Sequence, residues 1–386
     1  MVQAHIEDIV VLKEWRNKGL AQELVKNLQT IAINANCYKV ILDCQENLET
    51  FYEKTGFKKR EFRCIFIFRH ISIYTYSKIP KGMSNRKQEY NEKTDFVIPL
   101  HRYHYMVRTV VEAIHFFYSP RIIYIITPKR FSTIIEKSSE TWLVNKIVVI
   151  PEETFFMDYY KLHYSDIQNM FMQTPDDKSR EFGWWYQQIL KLGAKTQIKD
   201  LSDPYIVWDS DLIPLIKWDI YPTKENPCFK IAILQEKART EWNNEQYRSS
   251  MFELTNMNMT DPEEGTFVPH HFVFYHDVLN SLLNHIEEIS NTSWIKSIIS
   301  ISHKYYRFSE YRTVATFMQT QYPTIIKYHG FKEYGLYGKR IREPANFLNE
   351  MHDFFGELYN LSYNDFMRFA KHKYKNLPSY LQIEHI

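Results

Sequence analysis

The stretch Pro204-Tyr205-Ile206-Val207-Trp208-Asp209-Ser210-Asp211 places an apolar run directly before two carboxylates. Its β-branched and aromatic centre favours extended backbone, and the lack of polar alternation marks a strand buried on both faces. On such a backbone residues i and i+2 point the same way, so Asp209 and Asp211 can turn their oxygens to one cation. Hard oxygen donors suit Mg2+ or Mn2+, which would bridge to a diphosphate and stabilise the charge of its departure. This is the only Asp-x-Asp in the chain.

Reading upstream from that strand, apolar runs at 95–99, 121–127 and 146–150 predict further strands, with a helix at 103–117 between the first two. Strands separated by helices predict parallel pairing through crossovers, so the fold class is α/β. Downstream of about residue 270 the pattern becomes mainly helical and rich in aromatic residues. Residues 77–94, polar and punctuated by Pro80 and Gly82, read as a linker.

Ahead of the linker lies a second, smaller α/β pattern. Ile6 to Leu12, Tyr38 to Asp43 and Phe62 to Phe68 read as strands. Leu20 to Ala35 and Leu48 to Thr55 read as helices, the latter closed by Gly56. Between the first strand and the long helix runs Arg16-Asn17-Lys18-Gly19-Leu20-Ala21. A small-residue turn entering a helix exposes several backbone N–H groups to one concavity, and the helix end adds partial positive charge. A pyrophosphate suits that place.

The succession AHIEDIVV, RNKGLA, CYKVILDC and FYEKTGF, over about residues 3–69, resembles glucosamine-6-phosphate N-acetyltransferase of the GNAT superfamily, of which it matches the C-terminal half only. The family acetylates the amine of a phosphorylated amino sugar with acetyl-CoA, on the route to UDP-N-acetylglucosamine. The resemblance implies that Glu7 and Asp8 contact the amino sugar and that Ile9, Val10 and Val11 pair with the pantetheine arm. It also implies that Arg16, Asn17, Lys18, Gly19, Leu20 and Ala21 hold the CoA diphosphate. Asp43 would position the sugar, and Tyr52 would protonate the departing thiolate. A phenol with a pKa near 10 suits that donation. Ala4 and Ala21 stand where the family has glycine, and Asn47 falls one position early.

GWWYQQILKL (Gly183 to Leu192), the Asp-x-Asp strand, VPHHFVF (Val268 to Phe274) and FSEYRT (Phe308 to Thr313) together resemble a glycosyltransferase-like family with a GT-A, Rossmann-like fold, over about residues 95–345. That resemblance implies Asp209 and Asp211 as metal and nucleotide ligands, with His271, or else His270, as the third ligand or a phosphate contact. It implies the strand Asp95 to Leu100 beneath the nucleotide, Lys191 approaching a phosphate, and Glu310 as base on the acceptor hydroxyl of an inverting reaction.

Composition narrows the classes. Lys+Arg is 48 against Asp+Glu 46, a net charge of +2, which excludes a general nucleic-acid binder. Aromatic residues at 16% rule out a wholly disordered chain. Cys37, Cys44, Cys64 and Cys228 form no CxxC pair or disulfide framework and read as reduced thiols. No apolar run approaches the ~18 residues of a membrane span. His5, Glu7 and Asp8 do not read as a signal peptide. A cytoplasmic location follows as the expectation.

The expected organisation is thus a partial GNAT domain at 1–70, a linker at 71–94, a GT-A-like domain at 95–345 and a helical C-terminal extension at 346–386. The expected function is bifunctional, joining acetyl-CoA-dependent acetylation of an amino-sugar phosphate to metal-dependent (Mn2+ or Mg2+) transfer from a nucleotide-sugar donor. The alternative is a glycosyltransferase whose acetyltransferase segment is inactive and serves dimer contact or CoA binding. A homodimer is left open; a nucleic-acid partner is not expected.

Overall fold

A computed structural model describes residues 2–6, 21–22, 24–25, 28, 37–42, 48–55, 57–60, 63–67, 94–173, 182–220, 229–233, 241–260, 262, 265–304, 307–323, 326–329, 338–356, 358 and 360–384. The chain divides into two compact units, Met1–Ser77 and Lys78–Ile386.

The first unit contains β1 (Val2–Ile6), β2 (Cys37–Leu42), β3 (Lys58–Arg60) and β4 (Arg63–Ile67) in the order β1-β2-β4-β3. β1 and β2 run parallel, as strands joined by a crossover do, and β2–β4 and β3–β4 are antiparallel. Ala21, Gln22, Leu24, Val25 and Leu28, from the expected crossover helix, are helical. The described part of the first strand is Val2–Ile6; of the expected Ile6 to Leu12, only Ile6 lies among the described residues. β3 was not expected from the sequence, because three residues rich in charge carry too little apolar periodicity to register. The short helix Glu49–Glu53 ends where the Tyr52 carbonyl accepts N–H bonds from Thr55 (3.0 Å) and Phe57 (3.2 Å).

In the second unit β5 (Asp95–Pro99), β6 (Ile123–Thr127), β7 (Ile147–Pro151), β8 (Tyr205–Trp208) and, after β9 (Leu212–Pro214) and β10 (Phe229–Ala232), β11 (His271–Phe274) form the principal elements. Five of them make one sheet in the order β11-β8-β5-β6-β7. β5 pairs parallel with β6 and β8, β6 with β7, and only β11 is antiparallel. β5, β6 and β8 are buried along their whole length, as strands covered on both faces must be. The chain leaves β5 toward β6 and β7, then returns to place β8 on β5's other side. The carboxyl ends of β5 and β8 therefore flank the point where the crossovers part, the crevice at which α/β sheets of this kind take ligands.

Asp95 occupies the opposite, amino end of β5. It is fully buried and clasped by Arg121, by the Ser202 N–H (2.9 Å) and, through its own N–H, by the Ser202 hydroxyl (2.7 Å). Asp95 closes the far end of the sheet; only the carboxyl end of this strand faces the crevice.

Helix Phe182–Gln197 lies between β7 and β8 in the chain, and Gly193 lets it approach Phe156 and Trp294 closely. A Cβ at Gly193 would fall 2.4 Å from the Phe156 ring, which is itself edge-on to Tyr160, Tyr186 and Trp294 and cannot swing away. Gly193→Ala is expected to lower stability by about 1–3 kcal/mol, overpacking outweighing the ~1 kcal/mol gain in helix propensity. A lower urea midpoint at unchanged slope checks it.

The last part of the chain is built into this core instead of appended to it. The Leu361 carbonyl accepts from Thr109 (2.7 Å), and buried Glu112 accepts from the Tyr363 N–H (2.8 Å) and the Leu143 N–H (3.2 Å). After β12 (Ile326–His329) and β13 (Lys339–Ile341) come helices Pro344–Phe355 and Tyr363–Lys373, then β14 (Tyr380–Ile383). The expected helical extension thus ends in a strand. β14 is the centre of the sheet β13-β14-β9, antiparallel to β9, with Leu381 and Ile383 fully buried.

His104 lies beyond the carboxyl end of β5, with its Nδ1 buried and unpartnered among the described residues. Burial pulls its pKa down to about 4. The folded state thus resists the proton that the unfolded chain takes up near pH 6.5, and stability is lost as pH falls from about 6.5 toward 4. Urea midpoints should decline over that window, and less steeply in His104→Phe.

Candidate metal centre

β8 ends at Trp208, and Asp209-Ser210-Asp211 turns the chain into β9. The Asp209 N–H donates to the His270 carbonyl (2.9 Å), continuing the β8–β11 ladder one residue beyond the Trp208–His271 pair. Hydrogen bonds from Leu212 N–H to the Asp209 carbonyl and from Ile383 N–H to the Asp211 carbonyl fix the turn between them. His270 adopts φ = +61°, a left-handed conformation that costs a non-glycine residue about 1 kcal/mol or more. Asp209, Asp211 and His270 each offer a ligand atom, all within 4.8 Å of one another. Among the described residues no other such group of acidic, histidine or cysteine ligands occurs.

Beneath the aspartates lies a buried ionic network. The Lys191 ammonium, from the middle of helix Phe182–Gln197, is 2.6 Å from Asp209 Oδ1 and 2.6 Å from Glu310 Oε1. It also sits 4.5 Å above the Tyr311 ring, whose hydroxyl donates to Asp209 Oδ1 (2.8 Å). Glu310 begins helix Glu310–Gln321, and its N–H donates to Gln188 (3.2 Å), one helical turn before Lys191. His270 Nδ1 meets the other Asp209 oxygen at 2.9 Å. On the far side Gln382, in β14, reaches Asp211 Oδ2 (3.4 Å) and His270 Nδ1 (3.1 Å).

The two aspartates differ in electrostatics. Burial raises the Asp209 carboxyl, but Lys191 and His270 outweigh it and hold the group well below the usual carboxylate range. Burial likewise raises Asp211; attraction to His270 offsets only part, Asp209 adds repulsion, and the group is pushed up to about 6. Burial would lower Lys191, yet Asp209 and Glu310 together leave it raised. Glu310 is raised, by burial first and despite Lys191. One oxygen of Asp211, Oδ1, is buried with no hydrogen-bond partner among the described residues. An orphaned carboxylate oxygen beside a second carboxylate and an imidazole is the donor set a divalent cation fits, so the residues present suit Mn2+ or Mg2+.

Several expectations need correction. The histidine beside the aspartates is His270, not His271. The His271 ring lies 5.0 Å from both the Trp208 and Trp218 rings, with Nδ1 3.0 Å from the Pro269 carbonyl, because strand alternation sends it to the opposite face. Lys191 is engaged by two carboxylates and does not face the crevice as a phosphate ligand. Glu310 is 3% exposed and tied to Lys191, so it lacks the open approach that a base on an acceptor hydroxyl requires. Tyr311 and Gln382 were missed. Tyr311 stood within the quoted FSEYRT, whereas nothing local marks Gln382, which arrives through the β9–β14 register opposite Leu212.

In the first unit Tyr52 is buried, edge-on to Phe51 (4.9 Å) and Phe57 (6.1 Å). Ala21 is helical and half-buried. Glu7, Asp8, Ile9, Val10, Val11, Arg16, Asn17, Lys18, Gly19, Leu20 and Asp43 lie outside the described residues.

A mostly parallel α/β sheet with a candidate cation site beside its switch point defines the class of the second unit. The chain belongs to the family of unknown function DUF6492, which matches residues 98–354. Residues 2–79 match the acetyltransferase (GNAT) domain. There the chain is similar to glucosamine 6-phosphate N-acetyltransferase 1 of Dictyostelium discoideum, 46% identical over 56 residues, 14% of this chain and 36% of that protein. It is also similar to glucosamine 6-phosphate N-acetyltransferase of Candida albicans, 50% identical over 54 residues, 14% of this chain and 36% of that protein. The chain thus spans about a third of the length of these curated relatives. Among solved structures it is similar to apo mouse xyloside xylosyltransferase 1, with 8% identity, 76% of this chain and 98% of that one covered, and a TM-score of 0.40. A second is galactosyltransferase LgtC with donor and acceptor sugar analogues, with 8% identity, 75% and 87% covered, and a TM-score of 0.34. No helix among the described residues is long and apolar enough to cross a membrane.

Proposed function

We propose that the second unit is a divalent-cation-dependent glycosyltransferase using a nucleotide-sugar donor, and that the first unit binds acetyl-CoA for N-acetylation of an amino-sugar phosphate. The observation that carries the transferase reading is the convergence of Asp209, Asp211 and His270 at the carboxyl end of β8, beside the switch point. Asp209, Asp211 and His270 would hold the cation. When bound, it supplies positive charge that stabilises a departing nucleoside diphosphate. The chain's own residues prepare that place. Lys191 and Tyr311 fix one oxygen of Asp209, His270 meets the other, and Glu310 holds Lys191 in register as a positioning residue.

What supports the acetylation half is the GNAT match together with the identity to the amino-sugar acetyltransferases. In that reading the 16–21 turn cradles the CoA pyrophosphate, Asp43 holds the amine near the thioester and Tyr52 donates a proton to the thiolate. On this reading both halves serve the chemistry of UDP-N-acetylglucosamine and its use, and the protein works in the cytoplasm.

Calorimetric titration of the intact chain tests both binding sites, and acetyl transfer to glucosamine 6-phosphate, read as release of free thiol, separates the bifunctional reading from an inactive CoA-binding segment. Heat is expected from acetyl-CoA and, in the presence of Mn2+, from UDP-sugars. Heat from UDP-sugars alone would retire the bifunctional reading in favour of a glycosyltransferase with an inactive acetyltransferase segment. Heat from neither would remove both.

A further inference from the structure

We propose that Gln382 is a fourth protein ligand of the cation, through its side-chain carbonyl oxygen; this rests on the reading of Asp209, Asp211 and His270 as a cation site. Gln382 is 2% exposed and lies in β14, which the β9 ladder holds against the Asp211 turn. Its amide nitrogen is 3.1 Å from His270 Nδ1 and 3.4 Å from Asp211 Oδ2, so the amide is aimed into the cluster.

The hydrogen-bond polarity there does not close. His270 Nδ1 also lies 2.9 Å from Asp209 Oδ2. As an N–H it donates to Asp209 and faces a second donor in Gln382. As a bare nitrogen it accepts from Gln382 and sets its lone pair against the carboxylate. Meanwhile Gln382 Oε1 and Asp211 Oδ1 are both buried with no partner among the described residues. The orphaned Asp211 oxygen, beside a second carboxylate, calls for a positive centre, and the orphaned Gln382 oxygen shows that its amide is better satisfied turned the other way round.

Turning the amide by half a revolution changes no shape, since its oxygen and nitrogen are nearly isosteric. It brings the carbonyl oxygen toward Asp211 and His270. Oxygens from Asp209, Asp211 and Gln382 then converge with one imidazole. Those oxygens repel one another unless a cation lies between them. Hard oxygen donors with a single imidazole suit Mn2+.

The test is Mn2+ uptake by the intact chain, read from the loss of the free-ion electron paramagnetic resonance signal. Gln382→Leu keeps the bulk and removes the oxygen; its affinity is expected to fall at least 10-fold. Gln382→Glu retains a ligand oxygen and adds charge, and is expected to bind more tightly than the unaltered chain. Should the leucine variant misfold by circular dichroism, the glutamate variant decides alone. Leucine binding unchanged, or glutamate binding no tighter, overturns the role of Gln382 while leaving the three-residue site standing. If the unaltered chain takes up no Mn2+, or Asp211→Asn takes up as much, the cation site itself falls and Gln382 with it.

Discussion

Lys191→Met is expected to lower the unfolding free energy of the second unit by about 3–5 kcal/mol, the cost of breaking a buried ion pair from one side. Methionine fills the space of the lysine stem, so little of the loss comes from packing. What it cannot replace is the ammonium 2.6 Å from Asp209 and 2.6 Å from Glu310, which separates a half-buried carboxylate from a buried one. Tyr311 and His270 still reach Asp209, so the charge left most exposed to the low-dielectric interior is that of Glu310. Adding Glu310→Leu should therefore restore part of the loss, because removing both partners avoids the uncompensated charge. Denaturant unfolding followed by tryptophan fluorescence reads both effects; a loss under 1 kcal/mol in the single variant would show the network to be weak.

Asp211→Asn should move stability and cation binding in opposite directions. Asp211 is half-buried, its Oδ1 is buried with no partner among the described residues, and its pKa is pushed up to about 6. On the proposed reading that oxygen is a ligand of the cation. The amide removes the charge and keeps the shape, so the cation-free chain should gain about 1–3 kcal/mol, the range for relieving an unsatisfied buried group. Cation affinity should fall by at least 100-fold, more than the 10–100-fold typical of supporting residues, since a ligand itself is lost. Denaturation in chelator and Mn2+ titration give the two numbers. Lower stability together with unchanged Mn2+ affinity would mark Asp211 as an ordinary structural carboxylate.

How far the sequence could be read depended on how local each determinant was. The strands at Asp95–Pro99, Ile123–Thr127 and Tyr205–Trp208 were legible because strands buried on both faces need uninterrupted apolar residues. That Asp209 and Asp211 come together was legible for another local reason, the i,i+2 geometry at a strand end. His270 was harder. The adjacent His271 has the stronger strand context, and only pairing against Trp208 reveals which imidazole turns to the aspartates. Glu310 read as a free carboxylate, because its partner Lys191 is 119 residues away and no local pattern joins them. Gln382 was wholly illegible, since its place depends on β14 pairing with β9 across most of the unit. Local chemistry was visible; long-range charge compensation was not.

The most direct test of the proposed cation centre is anomalous diffraction at the manganese edge from crystals of the intact chain grown with Mn2+ and UDP. One anomalous peak bonded to Asp209, Asp211 and His270 and touching the diphosphate is the predicted result. Manganese elsewhere, or UDP seated at the ends of β5 and β8 with no metal between it and Asp209, would contradict it.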